Sequence, residues 1–193
     1  VPRIAPESGS MLHSSGDPLM ELESALLIIP PKSVQAFAYP LREEYDPLAF
    51  DRVPAHLTLF YPFIPAEQAD QVAEEIRKLC SRHLAFELTL NRYARTADAI
   101  YLEPEDSGAL VDLYRTLAQA YPEYVRRKEG AEVPYRPHLT LARLATPQQA
   151  EQIEMPPTPS FTFTVEKLHI YVGSREEETP YIPRATIPLG GGA

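Results

Sequence analysis

The chain has 193 residues, 44% hydrophobic and 23% charged, a composition that fits one globular domain or two small lobes on a shared core. The longest apolar run, residues 25–29, is far short of the roughly 20 residues a membrane-spanning helix needs, and the single cysteine, Cys80, excludes an internal disulfide and a thiolate zinc site. The net charge of −9 argues against coating long nucleic acid or long duplex DNA, and it leaves room for a small phosphorylated substrate in a locally basic pocket.

Residues 1–20 hold Pro2, Pro6, Pro18, Gly9, Gly16 and four serines without a secretory apolar stretch, and read as a flexible segment. Val1-Pro2-Arg3 and Gly9-Ser10-Met11 resemble vector scars, with Met11 or Met20 as candidate natural starts. With no targeting segment and a lone thiol, the expected compartment is the cytoplasm. Residues 21–29 end in a β-branched apolar run before Pro30 and Pro31 and predict a strand. Residues 33–45 predict a helix with Ser33 as N-cap, weakened or kinked at Pro40. Residues 56–63 predict a strand. Residues 66–80 place Ala69, Val72, Ala73, Ile76 and Leu79 on one face of an amphipathic helix. Residues 84–93 alternate Leu84, Phe86, Leu88 and Leu90 against polar neighbours, the period of a half-buried strand. A short strand at 97–103 and a helix at 107–120 follow, then a strand at 138–143 and a helix at 146–153 with Pro147 in its first turn. Strands at 161–172 and 181–189 and a frayed tail at 190–193 complete the chain. Strands following one another without long helices between them indicate an α+β fold with mainly antiparallel sheet.

One repeat carries the chemistry. His56-Leu57-Thr58-Leu59 recurs as His138-Leu139-Thr140-Leu141, 82 residues later, each copy just after a proline (Pro54, Pro137). Residues i and i+2 of a strand share a face, so His56 projects with Thr58 and His138 with Thr140. If the two halves pack around a pseudo-two-fold axis, two imidazoles and two hydroxyls converge. Imidazoles titrate near pH 6.5, so one can take a proton from water while the other gives one to a leaving alkoxide. The hydroxyls can donate to non-bridging phosphoryl oxygens in the transition state. No carboxylate lies within two residues of either histidine, and no Asp, Glu or His set shows metal-ligand spacing.

Paired His-x-Thr motifs on strands, in the spellings Pro54-Ala-His-Leu-Thr-Leu-Phe-Tyr-Pro-Phe63 and Arg136-Pro-His-Leu-Thr-Leu-Ala-Arg143, resemble the 2H phosphoesterase superfamily, most closely its bacterial 2'-5' RNA ligase-like, or RNA 2',3'-cyclic phosphodiesterase, subgroup. The resemblance covers residues 21–189 as one domain. It implies a bilobal duplicated fold, two mainly antiparallel sheets with outer helices around a central cleft. It further implies His56 and His138 as the acid/base pair, Thr58 and Thr140 as phosphate-binding hydroxyls, and no metal or nucleotide cofactor. The implied substrates are RNA ends or small cyclic nucleotides, acted on by a monomer. Our reading takes His138 as base and His56 as acid, an order the resemblance leaves open. Hydrolysis of a 2',3'-cyclic phosphate, cleavage or joining of 2'–5' linkages, and non-catalytic nucleotide binding are the competing activities; intact motifs in both halves argue against the last.

Five further features bear on the cleft. Phe60 shares parity with His56 and Thr58 and either stacks on a base or packs in the core. Tyr101 has the same two uses, and shares its parity with Glu103. Arg143 is a candidate phosphate contact, yet strict alternation from His138 puts it on the opposite face unless the strand bulges. His169 alternates with Lys167 and Tyr171 on a polar face that either lines the cleft or meets solvent. Between residues 115 and 143 six cations (Arg115, Arg126, Arg127, Lys128, Arg136, Arg143) face three acids (Glu123, Glu129, Glu132). This stretch reads either as a path for a nucleotide chain, with a mobile lid at Gly130, or as a solvated loop.

Overall fold

In the computed structural model, which describes residues 22–144, 146–174 and 179–190, the proline-bounded apolar runs form strands of one antiparallel sheet. The expected flexible segment at 1–20 and residues 191–193 of the tail lie outside the described residues. In chain order the elements are β1 (Glu23–Ile28), α1 (Lys32–Tyr45), α2 (Pro47–Phe50), β2 (Leu57–Phe60), α3 (Ala69–Cys80), β3 (Phe86–Arg95), β4 (Ala99–Pro104) and α4 (Gly108–Ala120). A small hairpin, β5 (Arg127–Lys128) and β6 (Ala131–Glu132), precedes β7 (Leu139–Arg143), α5 (Pro147–Gln152), β8 (Phe161–Val165), β9 (Lys167–Gly173) and β10 (Ile182–Pro188).

The sheet order is β10-β9-β1-β2-β7-β4-β3-β8, so the sheet falls into two runs of four strands, the first built from both ends of the chain and the second from its middle, each with its His-x-Thr strand innermost. The α+β antiparallel expectation holds. The two expected sheets are the two halves of one sheet, joined where β2 pairs with β7 at Leu57 and Leu139. These are the equivalent residues of the two motifs, so the pseudo-two-fold axis passes between them.

α1, α3 and α4 cover one face of the sheet. Leu26, Ile28, Leu57, Leu139, Leu141, Ile170 and Leu168 point into a single core with Val34, Ala38 and Leu41 of α1, Val72 and Ile76 of α3, and Leu113 and Leu117 of α4. Each such side chain contributes about 1.5–3 kcal/mol by leaving water. On the other face Ala25, Leu27 and Tyr171 form a smaller apolar cluster with Val53 and Tyr181. That second cluster explains why β1 runs apolar from Ala25 to Ile28 instead of alternating: it is buried on both sides.

Several boundaries differ from the sequence pattern. Ser33 lies inside α1, whose N-cap is Pro31 with no side-chain cap, and α1 runs through Pro40 because Val34, Ala38 and Leu41 still bury its apolar stripe. The predicted strand at 161–172 is two strands in opposite halves of the sheet. β8 pairs with β3, and β9 with β1 and β10. The inward parity changes from Val165 to Leu168, which is where the chain crosses between halves. Gly190, assigned to the tail, donates its N–H to Cys80 O, and a Cβ there would sit 1.9 Å from the Ser81 carbonyl oxygen. The helix expected at 146–153 forms as α5 with a complete Thr146/Gln149 capping box.

Candidate active site

The two motifs are built alike. Leu57 and Leu139 are fully buried towards the helices, so the residues on either side of them project from the open face. Antiparallel register about the Leu57–Leu139 pair sets His56 across from Thr140 and Thr58 across from His138. All four are partly exposed. His56 Nδ1 lies 2.8 Å from Pro54 O, and His138 Nδ1 lies 2.8 Å from Arg136 O. A carbonyl can only accept, so each Nδ1 carries the proton and each Nε2 is left for a ligand. The Gln35 side chain clamps the backbone of Ala55, donating to its carbonyl at 2.7 Å and accepting from its N–H at 2.9 Å, which fixes the approach to His56. The Tyr135 hydroxyl donates to Thr58 O at 3.1 Å and ties the second half to the first motif.

Both motif strands bulge at equivalent places. The β1–β2 register skips Leu59, and the β4–β7 register skips Leu141, its counterpart 82 residues on. After each bulge the alternation is reversed. Phe60 therefore turns into the core, where it is 2% exposed and stacks 5.3 Å from Phe63. The base-stacking alternative for Phe60 is overturned. The same reversal buries Ala142 and brings Arg143 to the open face, meeting the condition under which it reaches the site. Its counterpart Tyr61, unremarked in the sequence, lines the same cavity and donates to Glu23 Oε1 at 2.6 Å.

That cavity, about 410 Å³, abuts the first motif. His56, Thr58 and Arg143 form one side, Ala25 and Leu27 of β1 its floor, and Tyr45, Leu48, Val53 and Tyr181 much of its apolar wall. Arg42, 4% exposed, holds the α2 segment by donating to Ala49 O at 3.0 Å and Val53 O at 2.8 Å. Asp46, 5% exposed, pairs with Arg143 Nε at 3.7 Å. Tyr101 lies beside His138, ring centroids 4.4 Å apart, flanking the cavity rather than lining it. His169 is also outside the cavity's lining, with Nδ1 3.3 Å from Thr186 Oγ1.

The two imidazoles differ electrostatically. Desolvation pushes His56 down to about 4, with Arg42, His138 and Arg143 lowering it further and the bond to Pro54 opposing. His138 is also lowered by desolvation, with Arg143 and Arg136 adding to the effect, but the bond to Arg136 O and the nearby Glu103 carboxylate oppose it. Arg143 acts on both histidines, which puts its charge beside the pair. Sequence parity had already put Glu103 on the Tyr101 face; what it did not give is a carboxylate next to His138.

The sequence profile of the 2'-5' RNA ligase superfamily matches residues 30–177. The chain belongs to this superfamily. It is thereby a phosphoesterase of the 2H kind. A Bacillus cytotoxicus protein named as a candidate phosphoesterase is 27% identical over 89% of this chain and 99% of its own length. A Geobacillus kaustophilus protein of the same naming is 28% identical over 63% of this chain and 69% of its own length. The fold is that of E. coli LigT in complex with 3'-AMP (TM-score 0.62, 22% identity, 88% of this chain and 99% of that one). It is equally that of Thermus thermophilus TT0787 (TM-score 0.61, 22% identity, 89% of this chain and 100% of that one). No helix among the described residues is long and apolar enough to cross a membrane.

Proposed function

We propose that this phosphoesterase hydrolyses a 2',3'-cyclic phosphate on an RNA end or a small nucleotide, with His56 and His138 as its proton-transfer pair. The observation that carries the reading is the pairing of two identical His-x-Thr motifs about Leu57 and Leu139, each imidazole anchored through Nδ1. His56, kept neutral by burial among cations, accepts a proton at Nε2 from the attacking water. The water oxygen bonds to phosphorus, the bond from phosphorus to one ribose oxygen breaks, and His138 gives that oxygen its Nε2 proton. This reverses the order expected from sequence, because Glu103 favours a protonated imidazole at His138. Thr58, Thr140 and Arg143 supply donors to the non-bridging oxygens.

The cavity supports a nucleoside as the remainder of the substrate. Its volume falls in the range of small-molecule sites, and its walls offer tyrosine faces with few groups to read a base edge. LigT has been crystallised with 3'-AMP and with NADP+, so this fold accepts nucleotides. The test is turnover of 2',3'-cyclic mononucleotides and cyclic-phosphate-ended oligonucleotides in EDTA. His56→Ala and His138→Ala should each lower turnover about 10²–10⁴-fold, the pair together far less than the product. Normal turnover in either folded variant, or activity that EDTA abolishes and zinc or manganese restores, overturns the mechanism. Turnover of 2'–5' linkages alone would reassign the bond.

A further inference from the structure

The halves of the sheet can be matched residue by residue. Ile28 opposes Leu57 in one half and Leu102 opposes Leu139 in the other, so Leu27 corresponds to Tyr101 and Ile29 to Glu103. Where the first half has isoleucine beside its motif strand, the second has a carboxylate. Glu103 is 3% exposed, and a buried carboxylate on a sheet needs partners. It has two: Arg92 of β3 at 3.0 Å and Arg136 at 3.1 Å. Arg136 is also the residue whose carbonyl accepts the His138 Nδ1 proton. Tyr101, two residues before Glu103 on β4, lies against the His138 ring.

We propose, building on the acid/base reading above, that Glu103 is a positioning residue of the active site: through Arg136 it fixes the orientation of His138, and its charge makes that imidazole, and not His56, the proton donor. The groups facing His138 are Glu103 and Tyr101 from β4, Arg136 and Arg143 from its own segment, and His56 from the opposing motif. Glu103 is the anion among them.

The test is Glu103→Gln, read in two ways. Proton NMR titration of the His138 ring follows the imidazole without reference to activity, and the pH dependence of kcat/KM follows the catalytic acid. Both the His138 midpoint and the alkaline limb should fall by about half a pH unit, since two arginines already neutralise much of the carboxylate. On the alkaline side this is roughly a threefold loss of rate. Glu103→Asp should recover most of it. An unmoved midpoint and limb, whatever the change in melting temperature, overturns the proposal. If Glu103→Gln does not fold, Arg92→Met, which strips one cation from Glu103 at an exposed position, should move both readouts upwards; no movement there overturns it equally. An unmoved midpoint sinks the role of Glu103 even if His138→Ala is inactive. Full turnover by His138→Ala sinks the catalytic reading even if the midpoint moves.

Discussion

Holding His56 near pH 4 has a thermodynamic consequence separate from catalysis. In the unfolded chain this imidazole titrates near 6.5, whereas in the fold desolvation first, and then Arg42, His138 and Arg143, keep it neutral down to about 4. Its folded value is depressed, so below pH 6.5 the unfolded chain binds a proton that the native one refuses. Stability is full above 6.5 and is lost as pH falls towards 4. Two and a half pH units at 1.36 kcal/mol each make the loss about 3 kcal/mol, a large share of a typical 5–15 kcal/mol. His56→Asn removes the titration while its amide nitrogen can keep the bond to Pro54 O. Urea unfolding at pH 7.5, 5.5 and 4 should therefore show the variant gaining about 3 kcal/mol on the native protein as the pH falls. His138 is lowered too, but it acts equally in both proteins. Parallel losses in the two proteins would refute the desolvated, neutral His56. The kinetic counterpart is a kcat/KM profile with its maximum on the acid side of neutrality, its limbs belonging to the coupled pair.

The hydroxyls and the bulge give two further tests. Thr58→Val and Thr140→Val keep the branched shape at half-buried positions and should leave thermal unfolding nearly unchanged while lowering kcat about 10–10³-fold; a large fall in melting temperature with normal activity per folded molecule would make them structural. Phe60→Ala should cost about 3–5 kcal/mol in urea unfolding, because the ring is buried against Phe63 and Tyr114, and should leave kcat/KM per folded molecule unaltered; a selective loss of activity would return Phe60 to the cleft.

The fold class and the convergence of the histidines and threonines were legible because they rest on short-range regularities. These are alternation, helical spacing and a tetrapeptide repeated letter for letter. Phe60 was ambiguous because parity counting assumes an unbroken ladder, and the bulges at Leu59 and Leu141 break it on the very strands that carry the site. The sequence did hold a signal for Tyr61: it stands 82 residues before Arg143, so whatever brings one to the open face brings the other. Arg42, Asp46 and Gln35 lay beyond reach, since a buried or half-buried polar residue on a helix or between helices looks like a solvated one until its partners in the fold are known.

Duplication alone would produce a poor acid/base pair. Two imidazoles in identical surroundings titrate as a pair in two steps, and mutual repulsion would keep the pair to one proton without settling which ring holds it. The motif strands match in their leucines, their Nδ1 anchors and their bulges, so the difference between the histidines comes from what surrounds them: Arg42 of α1 at His56, Arg136 at His138, and the strand beside each motif. β1 brings Leu27 to the apolar floor of the cavity beside His56, and Ile29, just past its end, packs on the same apolar cluster. β4 brings Tyr101 and Glu103 to the corresponding places, a ring against His138 and a carboxylate beyond it. Under the proposed mechanism the first environment suits an uncharged base, beside an apolar cavity of nucleoside size. The second favours a charged donor. If the proposed mechanism holds, pocket and proton order are thus set together, by which flanking strand lies beside each motif.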